Sequence, residues 1–444
     1  MNSHDELELR LRSWMVATAP IREPAGLVDA AMAGTEHVRQ RPGLLVGTGL
    51  RRRWFALPAM SPVARLVVVA IVVLAALSAS VFVGSQMLRS TVRPTRDLDL
   101  PTSDGVWMAT GSLMTPRSDH IATLLKDGRV VVAGGVDHDG VALASAEIWD
   151  PATGRFTAKG RMATTRVQHT ATLLPDGRVL VSGGDLYPVG GGEVKPLASA
   201  EIYDPTTGRF TPTEATPIAR QAVRGGSVHA LATSLSDGRV FIAGGQGPRV
   251  ARIYDPATGR FTTTPPIPCG DQWYPSTLTT LADRRVLVTC LDWSSLDPGG
   301  AMAMIYDPAS DSFSPTGSPV TENHVESAAL MGDGRVLAVG HRELGSLAVD
   351  VFDPTTGAFE AIAVGTRTGG QAVSLADGRV LVIGRDGGQI FDPATETLVG
   401  AQGPSGTWFG VTATRLLDGR VLVAGSMTEA EESQPATVFD PGME

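Results

Sequence analysis

The stretch HTATLLPDGRVLVSGG at residues 169–184, followed after a loop by ASAEIYDPTTGRF at residues 198–210, decides the fold. Its first two runs of apolar and small residues are joined by Pro175-Asp176-Gly177, a tight-turn sequence in which glycine supplies a positive φ. The third run ends at Asp204-Pro205, because proline cannot donate to a central strand ladder, and the turn after it leads into a fourth run. The stretch therefore predicts four antiparallel strands, which is the plan of one propeller blade.

The same unit recurs to the end of the chain. A DGR turn occurs six times and once in the altered form Asp283-Arg284-Arg285, and an Asp-Pro turn occurs seven times. The aspartates that open these turns are Asp127, Asp176, Asp237, Asp283, Asp333, Asp377 and Asp418 for the first kind, and Asp150, Asp204, Asp255, Asp307, Asp353, Asp392 and Asp440 for the second. Because the two kinds alternate strictly, about 40 to 60 residues per repeat, the chain is predicted to form seven blades. We also expect each DGR arginine to pair with an aspartate of an Asp-Pro turn.

The units also share a glycine pair, intact or altered, which is followed by an aromatic residue and in most units by a second aromatic residue seven positions later. The aromatic pairs are Trp149/Phe156, Tyr203/Phe210, Tyr254/Phe261, Tyr306/Phe313 and Phe352/Phe359. The glycine pair is complete in the first three units, is reduced to one glycine in the last three, and is replaced by Cys290-Leu291 in the fourth. This pattern resembles the kelch repeat and covers residues 105–444. The resemblance implies an all-β fold, a seven-bladed kelch-type β-propeller.

The two ends of the repeat region predict how the ring closes. Residues 105–120 align without a gap to residues 154–169, which form a fourth strand and the approach to the next unit. Residues 105–113 are therefore expected to be the outer strand of the last blade, with Trp107 in the place of Phe156. The N- and C-terminal ends of the region would then share one blade and leave no open edge.

The N-terminal part of the chain has a different organisation. Residues 66–88 contain no charged residue, and a helix of this length exceeds the ~30 Å hydrocarbon core of a bilayer, so one transmembrane helix is predicted. Four arginines precede this helix closely and three follow it, which favours a cytoplasmic N-terminus and an extracytoplasmic ring. Residues 89–104 would form a linker to the propeller at residues 105–444.

Residues 1–65 are expected to form a short helical tail in the cytoplasm. They are similar to the cytoplasmic tails of bacterial membrane regulators of the anti-sigma type, although they lack a His/Cys zinc pattern. This resemblance implies contact with a sigma factor or another regulator. On the residues alone, the tail can equally be a segment that positions the membrane helix.

Charge is distributed unevenly along the chain. Residues 1–65 hold nine arginines and six acidic residues, whereas residues 89–444 hold 28 basic and 40 acidic residues, a net charge of −12. An acidic ring without basic runs argues against nucleic acid as a partner. Arginine greatly outnumbers lysine, 34 to three, which indicates a GC-rich and bacterial coding sequence.

The two cysteines are candidates for a disulfide. Cys290 stands at the end of a second strand and Cys269 just before the first strand of the same unit, and these two positions are neighbours in an antiparallel hairpin. A bond between them would close a loop of some twenty residues, contribute ~3 kcal/mol and indicate an oxidising compartment. Two unpaired cysteines are the alternative.

Function is expected on the face of the ring that carries the variable loops, because the DGR and Asp-Pro turns of the other face are nearly uniform. Exposed aromatic residues beside a carboxylate suit sugar or peptide contact. The candidate ligand-binding residues are Arg117, Arg166, His169, Asp271, Trp273, Tyr274 and Trp408. Arg117 and Arg166 occupy equivalent places in successive units, as do His120 and His169, so a packing role for them is the alternative.

The sequence carries no recognisable catalytic constellation. Four histidines at the mouth of the ring (His120, His169, His229 and His324) stand on separate blades, so we expect no metal site and no cofactor. Copper oxidases resembling galactose oxidase use kelch-type rings, but their Tyr–Cys pair with two histidines and a further tyrosine has no counterpart here. No nucleophile elbow, phosphate loop or zinc helix is present.

The sequence therefore predicts a single-pass membrane protein that presents an extracytoplasmic propeller as a protein- or glycan-binding module, and not an enzyme. A transmembrane sensor whose tail contacts a cytoplasmic regulator is one alternative. An extracytoplasmic hydrolase or oxidase with an unrecognised site is the other.

Overall fold

The structure, a computed structural model, describes most of the repeat region and none of the residues before it. The described residues are 105–186, 194–213, 231–244, 250–269, 273–292, 302–320, 324–341, 347–364, 370–384, 387–401, 403, 410–425 and 435–442. The tail at 1–65, the helix at 66–88 and the linker at 89–104 lie outside them and remain predictions. Within the described residues, no helix is long and apolar enough to cross a membrane.

Seven four-stranded antiparallel sheets form the seven blades. In blades 1 to 6 the strands follow chain order from the centre outward, whereas in blade 7 the outermost strand is β1, the first strand of the ring. Blades 1 to 3 comprise β2 (Ile121–Leu124), β3 (Val130–Ala133), β4 (Ser145–Asp150) and β5 (Arg155–Arg161); β6 (Thr170–Leu173), β7 (Val179–Ser182), β10 (Ala200–Asp204) and β11 (Arg209–Pro212); and β12 (Leu231–Ser234), β13 (Val240–Ala243), β14 (Val250–Asp255) and β15 (Arg260–Pro266). A two-stranded ribbon, β8 (Asp185–Leu186) and β9 (Lys195–Pro196), extends the loop between the second and third strands of blade 2.

Blades 4 to 7 repeat this plan. They comprise β16 (Trp273–Thr280), β17 (Val286–Asp292), β18 (Met302–Asp307) and β19 (Ser312–Pro315); β20 (His324–Leu330), β21 (Val336–His341), β22 (Leu347–Asp353) and β23 (Ala358–Val364); β24 (Gln371–Ser374), β25 (Val380–Gly384), β26 (Gly387–Asp392) and β27 (Thr397–Ala401); and β28 (Thr412–Arg415), β29 (Val421–Ala424), β30 (Thr437–Asp440) and β1 (Val106–Ala109).

The ring closes in blade 7, as predicted. Strand β1 pairs with β30, so that Trp107 lies opposite Phe439, and the two rings are 4.9 Å apart. The first strands of successive blades contact one another around the ring, including β28 with β2. The closing strand is shorter than the predicted 105–113, because the Gly111 N–H turns away to the carbonyl of Gly154 in blade 1, at 2.7 Å.

The hydrophobic core is divided into seven clusters, one between each pair of neighbouring blades. The aromatic residue of each third strand faces the preceding blade. In blades 1 to 6 it packs against the residue seven positions later, and in blade 7 Trp107 takes that place. Tyr203 and Phe210, for example, have ring centroids 4.6 Å apart, and blade 6 replaces the second aromatic residue with Leu398. The repeated aromatic pairs therefore form part of the hydrophobic packing between neighbouring blades.

The DGR turns contradict one prediction. In every turn of this type, the aspartate accepts hydrogen bonds from the backbone N–H and the Nε of the arginine two residues later. The arginine therefore pairs with the aspartate of its own turn and not with the aspartate of an Asp-Pro turn, because an acid two residues away is held close by the turn itself. Arg335 also forms an ion pair with Glu396, in the Asp-Pro turn of blade 6, at 2.6 Å. Arg335 and Arg379 additionally donate to the Pro393 and Pro441 carbonyls of the next blade.

Candidate functional site

The antiparallel order of each blade gives the ring two different faces. The DGR and Asp-Pro turns join the first strand to the second and the third to the fourth, so they lie together on what we term the turn face. The second–third loops and the segments between blades lie on the opposite side, the connection face. The predicted ligand site belongs to the connection face, whose best-described parts are residues 110–120 and 162–169.

Arg117 fixes the segment that enters blade 1. Its guanidinium is fully buried and forms an ion pair with Glu147 at 2.7 Å. It also donates to the Gly134 carbonyl at 3.0 Å and to the Ser145 carbonyl at 3.0 Å. Glu147 completes the arrangement by accepting the backbone N–H groups of Met114 and Thr115, at 2.7 and 3.0 Å. One buried ion pair thus ties the entering segment to the third strand.

Arg166 repeats this network in blade 2. It pairs with Glu201 at 2.9 Å and donates to the carbonyls of Gly183 and Ser199, both at 2.9 Å. The Ala163 N–H donates to the same glutamate at 2.8 Å. The equivalence of Arg117 and Arg166 that the sequence indicated therefore extends to the glutamate, to both carbonyl acceptors and to a serine hydroxyl.

Burial determines what these arginines can do. Desolvation lowers the pKa of Arg117, and the Glu147 carboxylate opposes that shift; the same balance holds for Arg166 and Glu201. Because both guanidinium groups are enclosed and their donors are used within the blade, they offer no charge to a ligand on the surface. Their observed contacts are structural.

The two histidines that follow these arginines lie between blades. His120 is buried and its Nε2 lies 3.0 Å from Thr412 Oγ1, in the first strand of blade 7. Burial, and then the positive charge of Arg117, lowers the pKa of His120 to about 3, so the imidazole is neutral at physiological pH. His169, also buried, occupies the same place in blade 2.

The first glycine pair of the repeat packs against the segments that carry these histidines. A Cβ on Gly134 would lie 2.6 Å from the ring of His169 in the next blade. A Cβ on Gly135 would lie 2.3 Å from the Ser118 carbonyl of its own blade, and both glycines have a positive φ. Each glycine pair therefore lets the entering segments of two blades approach closely.

Blade 3 departs from this arrangement. Arg252 occupies the strand position of Glu147 and Glu201, is 7% exposed, and donates to Thr263 Oγ1. Desolvation lowers the pKa of Arg252, and no carboxylate among the described residues pairs with it. The buried acid of blades 1 and 2 is thus not a general feature of the repeat.

Sequence reasoning did not single out Asp119 and Gln168. Each directly precedes a histidine just described and adopts a left-handed backbone, with φ of 51° and 54°. The Gln168 N–H donates to the Asp119 carbonyl at 3.2 Å, which joins the entering segments of blades 1 and 2. Left-handed non-glycine residues cost free energy and concentrate at functional sites. The only sequence signal was their shared position before the repeated histidine.

The remaining candidates lie around blade 4 and blade 7. Trp273 and Tyr274 begin β16, opposite Asp292 and Leu291 of β17. Asp271 and Trp408 lie outside the described residues. The structure therefore positions the backbone of the two blade 4 aromatic residues and leaves all four as predictions.

Cys269 and Cys290 form a disulfide, with Cα atoms 6.4 Å apart. Both side chains are buried in the cluster between blades 3 and 4. The bond joins Cys269, in the segment entering blade 4, to Cys290 at the end of the second strand. Cys290 takes the position that Gly183 has in blade 2.

The described residues contain no group of three or more His, Cys, Asp or Glu side chains placed to hold a metal ion. His229 lies outside them. The chain matches no protein-family model, and no curated protein matches it at a significant level.

Proposed function

We propose that this chain is a bacterial single-pass membrane protein whose seven-bladed ring, of the kelch type, lies outside the cytoplasm and binds a protein or glycan on its connection face. The all-β ring of seven blades is the part of this statement that the structure establishes. A closed ring presents many loops on a rigid frame, which suits a binding module.

The contrast between the two faces carries the proposal. On the turn face, all seven DGR arginines are neutralised by the aspartate of the same turn. Because these turns are so similar, they offer few differences by which a ligand could be recognised specifically. The second–third connections and the segments between blades differ in length and composition in the sequence, and buried ion pairs hold the segments that enter blades 1 and 2.

The disulfide and the charge support the proposed location and partner. A disulfide in an otherwise cysteine-free chain suits an oxidising compartment outside the cytoplasm. A net charge of −12 after residue 88 disfavours nucleic acid. Trp273, Tyr274, Asp271 and Trp408 would supply aromatic surface and a carboxylate for a sugar or a peptide.

Topology is tested with a membrane-impermeant maleimide on intact cells. Because the native cysteines are paired, only an introduced thiol reacts. Ala152→Cys, in an exposed Asp-Pro turn, is expected to label in intact cells, whereas Ser13→Cys in the tail is expected to label only after lysis. The reverse pattern, or labelling of neither before lysis, would reject the extracytoplasmic ring.

Ligand binding is tested with an array of peptides and glycans against the purified protein. Trp408→Ala and Trp273→Ala are expected to weaken a specific hit about tenfold or more, as truncation of an aromatic anchor does. Thr206→Ala on the turn face is the matched control and should bind as wild type. Equal losses from all three variants would contradict binding on the connection face.

A further inference from the structure

One position of the third strand, two residues before the repeated aromatic residue, changes its charge around the ring. Because side chains alternate along a strand, this position faces the preceding blade, as the aromatic residue does. In six blades it is acidic or uncharged, and the residues there are Glu147, Glu201, Met304, Asp350, Gln389 and Thr437. In blade 3 it is Arg252. A cation therefore stands where blades 1 and 2 have the carboxylate of a buried ion pair.

Arg252 lies between blades 2 and 3, beside an apolar cluster. Its register partner in the second strand is Ile242, which packs with Tyr254 and with Ile202 of blade 2. Residues directly opposite each other in a sheet project on the same side, so the stem of Arg252 adjoins this cluster. The residue is 7% exposed. In such surroundings an unpaired charge is costly and an ion pair is strengthened.

The guanidinium of Arg252 has donors that the described residues do not use. It donates to Thr263 Oγ1, a neutral acceptor in the outer strand, whereas its buried Nε has no hydrogen-bond partner. No carboxylate among the described residues forms an ion pair with it, and desolvation lowers its pKa. An arginine fork with unused donors matches the two oxygens of a carboxylate.

A ligand can approach Arg252 from the connection face. Strand β14 begins on that face at Val250 and reaches the turn face at Asp255, so Arg252 is only two residues below the connection face. Its hydrogen-bond partner Thr263 is exposed, which places the guanidinium near the surface of the blade. In the sequence, residues 214–230 before blade 3 contain one acid, Glu214, and residues 245–249 before β14 contain none. Glu214 lies outside the described residues.

We infer that Arg252 binds an acidic side chain of a protein ligand on the connection face. In blades 1 and 2 the group that pairs with arginine at this level of the ring is a glutamate side chain, at 2.7 and 2.9 Å. Blade 3 forms the same pair with the charges exchanged, the arginine on the third strand and the carboxylate on the ligand. The inference rests on the proposed function and deepens it by naming the ligand group.

The test is a titration of the complete purified chain with a blocked glutamate, N-acetylglutamate methylamide, followed by ligand-observed NMR. The blocked glutamine has the same size and no charge, and it is the matched ligand. We expect the glutamate derivative to bind about tenfold or more tightly than the glutamine derivative, because only the carboxylate makes charge-assisted hydrogen bonds. Equal affinities, or no binding of either compound, would overturn the inference.

Two variants with the same change in charge locate the site. Arg252→Gln introduces the residue of blade 6, where Gln389 is buried at this position, so the fold can accommodate it. It should bind the blocked glutamate about tenfold or more weakly than the wild type. Arg260→Gln, at the exposed start of β15 on the turn face, should stay within about twofold of the wild type. Equal losses in both variants would reject Arg252 as the site.

Arg252→Lys tests the guanidinium fork and keeps the positive charge. We expect it to bind the blocked glutamate about threefold or more weakly than the wild type, since an ammonium lacks the planar pair of donors. Wild-type affinity in this variant would contradict a bidentate contact.

Two further measurements distinguish other occupants of the site. Glu214→Gln should bind the blocked glutamate as the wild type does, and a clear increase would assign Arg252 to the chain's own acid. Glucuronate should bind more weakly than the blocked glutamate, and tighter binding would assign the arginine to an acidic sugar. The array test of Trp273 and Trp408 does not involve Arg252, so a specific hit there with a negative titration here rejects this inference alone.

Discussion

Blade 1 contains two arginine–carboxylate pairs with the same 2.7 Å separation on opposite faces of the ring. Arg117 and Glu147 on the connection face are 0% and 3% exposed, whereas Arg129 and Asp127 on the turn face are 32% and 50% exposed. Equal distances therefore do not mean equal energies. How much each pair stabilises the fold depends on its exposure to solvent and on how far apart in sequence its two residues are.

The buried pair joins residues thirty positions apart and fixes an entering segment through six further hydrogen bonds. The exposed pair joins residues two positions apart and orders only its own turn. In blade 1, the contacts of the connection-face pair thus join distant parts of the chain, whereas those of the turn-face pair are local. Loops can vary on the connection face because the segments beneath them are fixed.

Breaking the buried pair is expected to have the largest effect. Glu147→Gln leaves the Arg117 charge buried without a counter-ion and should lower the free energy of unfolding by about 3 to 5 kcal/mol. Asp127→Asn, the matched change on the turn face, should lower it by about 1 kcal/mol or less. Urea unfolding of both variants measures the difference, and equal losses would contradict the comparison.

Removing the disulfide is expected to have the next largest effect. The bond fixes another segment of the connection face, before blade 4, and closes a loop with a sequence separation of 21. Replacing both cysteines with alanine should lower the free energy of unfolding by ~3 kcal/mol by the loop-closure estimate. A variant that unfolds at the wild-type urea concentration under oxidising conditions would show that the bond adds no stability.

The same contrast explains what the sequence could predict. The blades, their turns and the closing strand were predictable, because each depends on residues close in sequence and repeated around the ring. The Arg117–Glu147 pair was not, because its acid is distant in sequence and becomes Arg252 in blade 3 and Met304 in blade 4. The partner of the DGR arginine was predicted wrongly, since the competing aspartate lies only two residues away. Asp271 and Trp408 remain predictions.

Acidic pH should destabilise the folded protein through His120. The folded protein holds this pKa at about 3, below the value near 6.5 of an unfolded chain. The unfolded state therefore binds a proton that the folded state does not, and stability falls as the pH drops from about 6.5 towards 3. Between pH 7 and pH 5, His120 should cost about 2 kcal/mol.

This prediction is checked by measuring urea midpoints at both pH values for the wild type and for His120→Gln. The variant should lose less stability on acidification than the wild type does. An identical loss in both proteins would show that His120 does not control the response.

The smallest predicted effect is on the turn face, where one substitution should increase stability. Arg284 occupies the turn position at which other blades have glycine, and its φ is 74°. Arg284→Gly should raise the free energy of unfolding by about 1 kcal/mol, because the left-handed backbone is no longer strained. Gly177→Ala makes the opposite change in blade 2, where φ is 91°, and should destabilise. Thermal unfolding of the two variants checks that the first melts at a higher temperature than the wild type and the second at a lower one.

The central claim is that a ligand binds to the connection face, whereas the turn face has only a structural role. Site-specific photo-crosslinking of the complete chain in intact cells tests it most directly, with the crosslinker at Trp273 or Trp408 for the connection face and at Ala152 or Thr206 for the turn face. We predict one discrete adduct from the connection-face sites and none from the turn-face sites. Adducts of equal yield from both faces, or from the turn face alone, would contradict the claim.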